Sequence, residues 1–129
     1  MNLSMINTLT FDVVGTLIDF ETGILNWFQP NLRKKGLNVE DEEILMGFAR
    51  TEAHYLKTLP QSSFTGLLPV IYSDMMSSWG FPSEEEDGLN FQNSIQNWPP
   101  FPDTIDALNE LKKHYRLVAV SNCDSSYLK

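Results

Sequence analysis

Two short apolar segments, far apart along the chain, constrain the fold more than any other feature. The first spans residues 6–14 and is rich in β-branched side chains, and the second spans residues 116–121. Both are predicted to be strands, and the first to be a buried one, because short apolar runs of this kind are typical of sheet interiors. Each strand leads to polar side chains: the first to Asp12, and the second to Ser121 and Asn122.

Helical periodicity dominates the sequence between the two strands. Apolar residues recur at helix spacing in four segments between Glu21 and Trp98, and a fifth, short helix is predicted to begin at Asp103. Pro30 lies inside the first of these segments. We expect a kink or a break there, because proline lacks the backbone N–H and its ring clashes with the preceding turn.

The ends and the apolar sides of the helices are also predicted. Gly36 and Gly80 are expected to end the first and third helices. Ser83 is expected to cap the fourth, since a hydroxyl followed by acidic residues suits a helix N-terminus. Leu89 in the fourth helix and Ile105 in the fifth are expected to face inward.

Composition limits the class of protein and its partners. The 129 residues suit one domain, and a net charge of −8 argues against a nucleic-acid or anionic-membrane partner, which clustered Lys and Arg would bind. The single cysteine forms no internal disulfide and is consistent with a cytoplasmic location. We expect no membrane span and no signal peptide, because neither a long apolar stretch nor a cleavage pattern is present.

A cluster of prolines at residues 99–102 marks a boundary in the chain. We therefore predict a core formed by residues 1–19 and 100–129, and a helical unit formed by residues 20–99. A helix-rich block between two apolar strands predicts an α/β protein, in which the strands pair in parallel.

The first strand leads into a turn in which Asp12 is followed by Gly15 and Thr16, and the second ends in Ser121 and Asn122. Together with the helical insert, these motifs resemble the haloacid dehalogenase superfamily, and within it the 2-haloacid dehalogenases. The resemblance implies a Rossmann-like parallel-sheet core, incomplete here, with a helical cap inserted after the first strand and closing over the active site.

The resemblance also implies roles for five residues. Asp12 would be the nucleophile, and Thr16 would orient it. Ser121 and Asn122 would hold the carboxylate of a small anionic substrate, while Arg50 would take up the departing halide or that carboxylate. From the residues alone, Asp12 is equally well interpreted as a helix cap, and Ser121 and Asn122 as caps of a turn. Arg50 is equally well interpreted as a solvated helix residue.

The residue at position 14 distinguishes between the reaction types found in this superfamily. Phosphatase members of the superfamily have the pattern Asp-x-Asp, in which the second Asp acts as a general acid. Loss of a general acid typically lowers the reaction rate by about 10²–10⁴-fold. Halide needs no proton to leave, so Val14 favours a dehalogenase that needs no metal or other cofactor. Phosphonate cleavage would need a cap lysine in an apolar setting, and no such lysine is found. The alternatives are a phosphoryl hydrolase that uses Mg²⁺ and tolerates Val14, or an inactive interaction protein.

The resemblance ends shortly after Asn122. It implies further core strands that bring a lysine and acidic residues, and Lys129 is too close to Ser121 to replace that lysine. A sheet of two strands would leave both edges unpaired. We therefore expect a truncated or partial chain, or a homodimer in which strands are shared.

Overall fold

The computed structural model describes residues 5–82 and 84–120, which form a mixed α/β structure. In chain order the elements are β1 (Thr8–Phe11), α1 (Phe20–Lys34), α2 (Asp41–Thr58), α3 (Phe64–Ser78), α4 (Glu85–Asn93), a 3₁₀ turn (Ser94–Asn97), α5 (Thr104–Leu111) and β2 (Arg116–Ala119). This order confirms the predicted α/β class and the predicted helical block between the strands. No described helix has the length and the apolar character needed to cross a membrane.

The two strands form a parallel pair. Thr8 is aligned with Arg116, and Phe11 with Ala119. Just beyond the paired residues, the Val120 N–H donates to the Phe11 carbonyl over 2.6 Å. The carboxyl ends of both strands therefore lie at the same edge, so that the segment following β1 is adjacent to the end of β2.

The hydrophobic core lies within the helical block. Its largest fully buried side chains include four aromatic rings, of which Phe28 and Phe91 meet at 4.9 Å between centroids and Phe28 and Tyr72 at 5.8 Å. Every buried residue of this cluster falls between Ile24 and Trp98. Aromatic pairs in such edge-on and tilted arrangements add to the stabilisation from buried area.

The first helix runs through Pro30 without a break. It extends from Phe20 to Lys34, and the Asn31 side-chain amide donates to the Trp27 carbonyl over 2.6 Å. Of the expected kink or break, the break is therefore excluded, and the kink remains a prediction. Phe28 and Leu32, one on each side of the proline, are both buried in the core, and their packing holds the two halves of the helix together.

Burial of the first strand was predicted and is not observed. The strand expected over residues 6–14 is limited to Thr8–Phe11, and its side chains alternate between exposed and half-buried. β2 is similarly uncovered, because each described strand has only one neighbour and no packed layer seals either face. Parallel sheets are normally covered on both faces.

Two helix positions that were expected to face inward are exposed. Ile105 is 61% exposed, because no described element covers the outer side of α5. Leu89 is 43% exposed, since the side of α4 that packs on α3 carries Phe91 and Gly88 instead. Ser83 lies outside the described residues, and the N-cap position of α4 is taken by Glu84, which makes no side-chain capping bond.

The predicted helix stops at Gly36 and Gly80 are confirmed. Both glycines follow the last helical turn with positive φ angles, of 77° and 81°. A residue in this left-handed conformation satisfies the last carbonyls of a helix, and glycine adopts it without steric cost.

The chain enters and leaves the helical block through two segments that are bonded to each other. The Asp19 N–H donates to the Pro99 carbonyl over 2.8 Å, and the Phe101 N–H donates to the Leu17 carbonyl over 3.1 Å. The buried Thr104 hydroxyl also donates to the Leu17 carbonyl, over 2.8 Å. These bonds fix the start of α1 beside the turn that follows β1.

Candidate active site

Asp12 lies at the carboxyl end of β1 with its carboxylate exposed to solvent. One oxygen, Oδ1, accepts the Val13 N–H over 2.9 Å. The other, Oδ2, is 3.5 Å from the Thr16 hydroxyl, at the outer limit of a hydrogen bond. The turn therefore orients the carboxylate through one firm contact and leaves Oδ2 accessible.

The turn itself is tight. The Thr16, Leu17 and Ile18 N–H groups all point at the Val13 carbonyl, at 3.2, 2.8 and 3.0 Å. Gly15 has a φ angle of +90°, a conformation that other residues rarely adopt. This geometry explains the sequence motif, because the turn at Gly15 brings the Thr16 hydroxyl back towards the Asp12 carboxylate.

Asp12 does not cap the following helix. The N-cap of α1 is Asp19, whose carboxylate accepts the Thr22 N–H over 3.2 Å and the Thr22 hydroxyl over 2.6 Å. The capping interpretation considered for Asp12 is therefore excluded, and among the described side chains only Thr16 is within hydrogen-bond distance of its carboxylate.

Ser121 and Asn122 lie outside the described residues. The last described residue, Val120, is bonded to Phe11, directly before Asp12. The end of β2 is consequently placed beside the Asp12 turn, as the sequence predicted for parallel strands.

Arg50 is exposed on α2 and lines a groove of about 420 Å³ between α2 and α3. The opposite wall of this groove includes Asp74, Ser78 and Trp79, and no residue of the Asp12 turn lines it. The structure therefore does not bring Arg50 and Asp12 together in one cavity. Within the described part of the chain Arg50 forms no salt bridge.

A second pocket, of about 240 Å³, lies between α1 and α2 and was not predicted. Its lining residues are Phe20, Glu21, Leu45, Met46, Phe48, Ala49 and Glu52. The Phe20 ring lies near the Asp12 turn, since a Cβ added to Gly15 would lie 3.5 Å from Phe20 Cε1. Leu45, Ala49 and Glu52 share one side of α2 at helix spacing, and this was the sequence signal that could have indicated the pocket.

Glu52 is the ionisable group of this pocket whose environment is most unusual. It is half-buried, and burial raises the pKa of its carboxyl above the ordinary value. No described side chain donates a hydrogen bond to it. The pocket therefore combines a largely apolar lining with a half-buried carboxyl.

A magnesium site is not formed by the described residues alone. No group of three or more His, Cys, Asp or Glu side chains that could hold a metal occurs in residues 5–82 and 84–120. Position 14 carries valine, and the nearby Asp19 is engaged by Thr22.

Comparison with solved structures identifies the fold. A defluorinating L-2-haloacid dehalogenase superposes with a TM-score of 0.83 at 17% identity, covering 95% of this chain and 54% of the dehalogenase. The L-2-haloacid dehalogenase of Xanthobacter autotrophicus with chloropropionic acid covalently bound gives a TM-score of 0.75 at 19% identity, covering 96% of this chain and 49% of that one. The fold is that of the 2-haloacid dehalogenases.

The dehalogenase fold is shared with other hydrolases. YfnB from Bacillus subtilis, a HAD hydrolase solved with bound magnesium, gives a TM-score of 0.75 at 12% identity and covers 95% of this chain and 56% of YfnB. The chain thus spans about half the length of each of these structures. No protein-family model matches the sequence, and no curated protein matches it significantly. The resemblance predicted from the motifs is confirmed as a shared fold.

Proposed function

We propose that this chain belongs to a hydrolase that acts on 2-haloacids, with Asp12 as the nucleophile. The observation that carries the proposal is the placement of the Asp12 carboxylate, exposed at the carboxyl end of β1 beside the end of β2. In open α/β sheets, ligands bind at the carboxyl ends of the strands. The substrate would be a small organic anion.

The chemistry of the carboxylate suits displacement at carbon. Asp12 Oδ2 has only the distant Thr16 hydroxyl as a described partner, so its electron pairs are free to attack C2 of the haloacid. The new C–O bond forms as the C–halogen bond breaks, and the halide leaves with the bonding electrons while C2 is inverted. Water then attacks the carbonyl carbon of the Asp12 ester, which releases the 2-hydroxy acid and a proton and restores the carboxylate.

Val14 supports this reaction class. A phosphate ester loses a poorly stabilised alkoxide and benefits from a general acid, whereas halide is a weak base and leaves unprotonated. The side chain at position 14 cannot donate a proton, and displacement of halide does not require it to.

We also propose the division into a core of residues 1–19 and 100–129 and a helical cap of residues 20–99. The paired connections support it, because Asp19 bonds to Pro99 where the chain enters and leaves the block. In this proposal Ser121 and Asn122 bind the substrate carboxylate. Arg50 has the weakest support, since the groove it lines contains no residue of the Asp12 turn.

The decisive experiment compares Asp12→Asn with Asp106→Asn in the protein that contains this chain. Asp106 is an exposed aspartate on α5 and provides the same substitution away from the turn. We expect chloride release from 2-chloropropionate by the wild-type protein and by Asp106→Asn, and none by Asp12→Asn. In H₂¹⁸O, a single turnover should leave ¹⁸O in the peptide that contains Asp12.

Three outcomes contradict the proposal. Chloride release by Asp12→Asn would exclude Asp12 as the nucleophile. Magnesium-dependent hydrolysis of an aryl phosphate without chloride release would instead support the phosphoryl hydrolase, whose fold relative YfnB was solved with magnesium. Neither activity in the wild-type protein would support the inactive interaction protein.

A further inference from the structure

Thr104, the first residue of α5, is buried and uses its hydroxyl for a contact far outside its own helix. Threonine hydroxyls near a helix start commonly bond to backbone groups only a few residues away. Thr104 Oγ1 instead donates to the Leu17 carbonyl over 2.8 Å, although Leu17 lies 87 positions earlier in the sequence. The hydroxyl therefore connects α5 directly to the turn that follows Asp12.

Three consecutive hydrogen bonds join Thr104 to the Asp12 carboxylate. The Leu17 carbonyl, which accepts the Thr104 hydroxyl, belongs to the same planar peptide group as the Ile18 N–H. That N–H donates to the Val13 carbonyl over 3.0 Å. The Val13 N–H in turn donates to Asp12 Oδ1 over 2.9 Å. A tilt of the peptide group between Leu17 and Ile18 would therefore displace the backbone donor that orients the carboxylate.

Two donors from the start of α5 converge on the Leu17 carbonyl. The second is the Phe101 N–H, at 3.1 Å, and the Phe101 carbonyl accepts the Thr104 N–H over 3.0 Å, so both donors belong to one turn. Without the hydroxyl, the Leu17 carbonyl would keep the longer of its two bonds. It would remain satisfied but would be held less firmly. Firm placement is important for a nucleophile, because a displacement of about 1 Å can lower a rate about 100-fold.

We propose that Thr104 is a positioning residue, whose hydroxyl fixes the peptide group after Leu17 and thereby the orientation of the Asp12 carboxylate. The inference rests on the proposed function, because the carboxylate that it orients is the nucleophile of that reaction. The hydroxyl is buried and its proton is engaged by Leu17. Its loss should therefore slow the attack on substrate and leave the binding of substrate unchanged.

Steady-state chloride release from 2-chloropropionate, by the protein that contains this chain, tests the role of Thr104. Thr104→Val removes the hydroxyl at nearly constant shape, and we expect kcat to fall about tenfold while KM changes by less than about twofold. Thr104→Ser keeps the hydroxyl and should restore kcat to within about twofold of the wild-type value. Thr104→Cys has a weaker donor and should give an intermediate kcat. It replaces the valine variant in the test if that variant does not fold.

Ser94→Ala is the matched control for the loss of a buried hydroxyl. Ser94 Oγ donates to the Phe91 carbonyl over 2.6 Å and accepts the Trp98 indole N–H over 3.2 Å, within the helical block. Its removal should lower the midpoint of chemical denaturation at least as much as Thr104→Val does, but should leave kcat unchanged. Equal losses of kcat in these two variants, or no loss in Thr104→Val, would overturn the inference.

NMR of the Val13 amide separates this inference from the proposed function. The Val13 amide proton, which is bonded to Asp12 Oδ1, should shift in Thr104→Val and return towards its wild-type position in Thr104→Ser. It should not shift in Ser94→Ala. These shifts without chloride release by the wild-type protein would refute the proposed function and retain Thr104 as the residue that orients the carboxylate. Chloride release by the wild-type protein, with neither kcat nor the Val13 signal altered in Thr104→Val, would refute the inference and leave the nucleophile in place.

Discussion

At the scale of single residues, the turn after β1 depends on Gly15. Its φ angle of +90° disfavours any side chain, although a Cβ would make only ordinary contact with Phe20, at 3.5 Å. We expect Gly15→Ala to destabilise the fold by about 1–2 kcal/mol through backbone strain and to displace Thr16 from Asp12. Chemical denaturation measures the first effect, and chloride release the second.

Gly36→Ala is the matched control for this substitution. Gly36 has a φ angle of +77° with open space around it, and it lies at the end of α1. It should lose a similar amount of stability while retaining chloride release. Equal losses of activity in the two variants would show that Gly15 has no particular role in positioning Thr16.

The pH dependence of stability reports on Glu52. Burial raises the pKa of this carboxyl in the folded chain, so the folded state retains a proton that the unfolded state has already released. The stability that the protonated Glu52 carboxyl contributes is therefore lost as the pH rises from the unfolded-state pKa through the folded-state pKa. Glu52→Gln should stabilise the protein at pH 7, by less than about 1 kcal/mol because half of the carboxyl is solvated, and should have no such effect near pH 3.5.

Denaturation curves at both pH values test this prediction. Glu42→Gln serves as the control, since Glu42 is exposed in the first turn of α2, where a negative charge favours the helix. It should not stabilise the protein at pH 7. A stabilisation by Glu52→Gln that is equal at both pH values would exclude the carboxyl charge as its cause.

At the scale of elements, helix packing requires a glycine in α1. A Cβ added to Gly23 would lie 2.3 Å from Cγ of Trp98, a buried side chain whose indole N–H donates to Ser94 Oγ over 3.2 Å. We expect Gly23→Ala to destabilise the fold by about 1–3 kcal/mol, since the strain of overpacking exceeds the gain of about 1 kcal/mol in helix propensity.

Gly47 in α2 provides the opposite case. A Cβ there would meet only Met75 Cε, at 3.5 Å, and the backbone is helical. Gly47→Ala should therefore stabilise the fold by up to about 1 kcal/mol in the same denaturation assay. If both alanine variants changed stability in the same direction, packing against Trp98 would not be the reason for Gly23.

At the scale of the whole molecule, stability is distributed unevenly. The core cluster lies between Ile24 and Trp98, whereas the two strands pair only with each other among the described residues and bury no side chain fully. Backbone amides of β1 and β2 should therefore exchange with solvent faster than those in the middle of α1 and α3. Hydrogen exchange followed by mass spectrometry measures this difference, and equal protection of strands and helices would contradict it.

The uneven distribution of stability is also relevant to the association of two copies of the chain. The uncovered strands motivated the prediction of a homodimer with shared strands, and this remains a prediction. Sedimentation velocity gives the state of the chain in solution, and hydrogen exchange of β1 and β2 at increasing protein concentration shows whether a second copy protects them.

Local sequence patterns were sufficient to predict the strands and helices, their order along the chain and the turn after β1. Apolar runs with β-branched residues indicated the two strands, helix spacing indicated the helices between them, and Gly36 and Gly80 ended helices as predicted. The Asp12 motif was also predictable, because the turn depends on neighbours within a few residues. These features are local, and so local patterns are sufficient to predict them.

The tertiary structure decided which surfaces are covered. Periodicity shows that Leu89 or Ile105 lies on an apolar side of a helix, but it does not show whether another element packs there, and both residues are exposed. α1 continues through Pro30 because distant residues pack around it, and Arg50 lines a groove formed with α3. Burial and cavities depend on contacts between residues far apart in the chain, and a single sequence does not specify those contacts by local pattern alone.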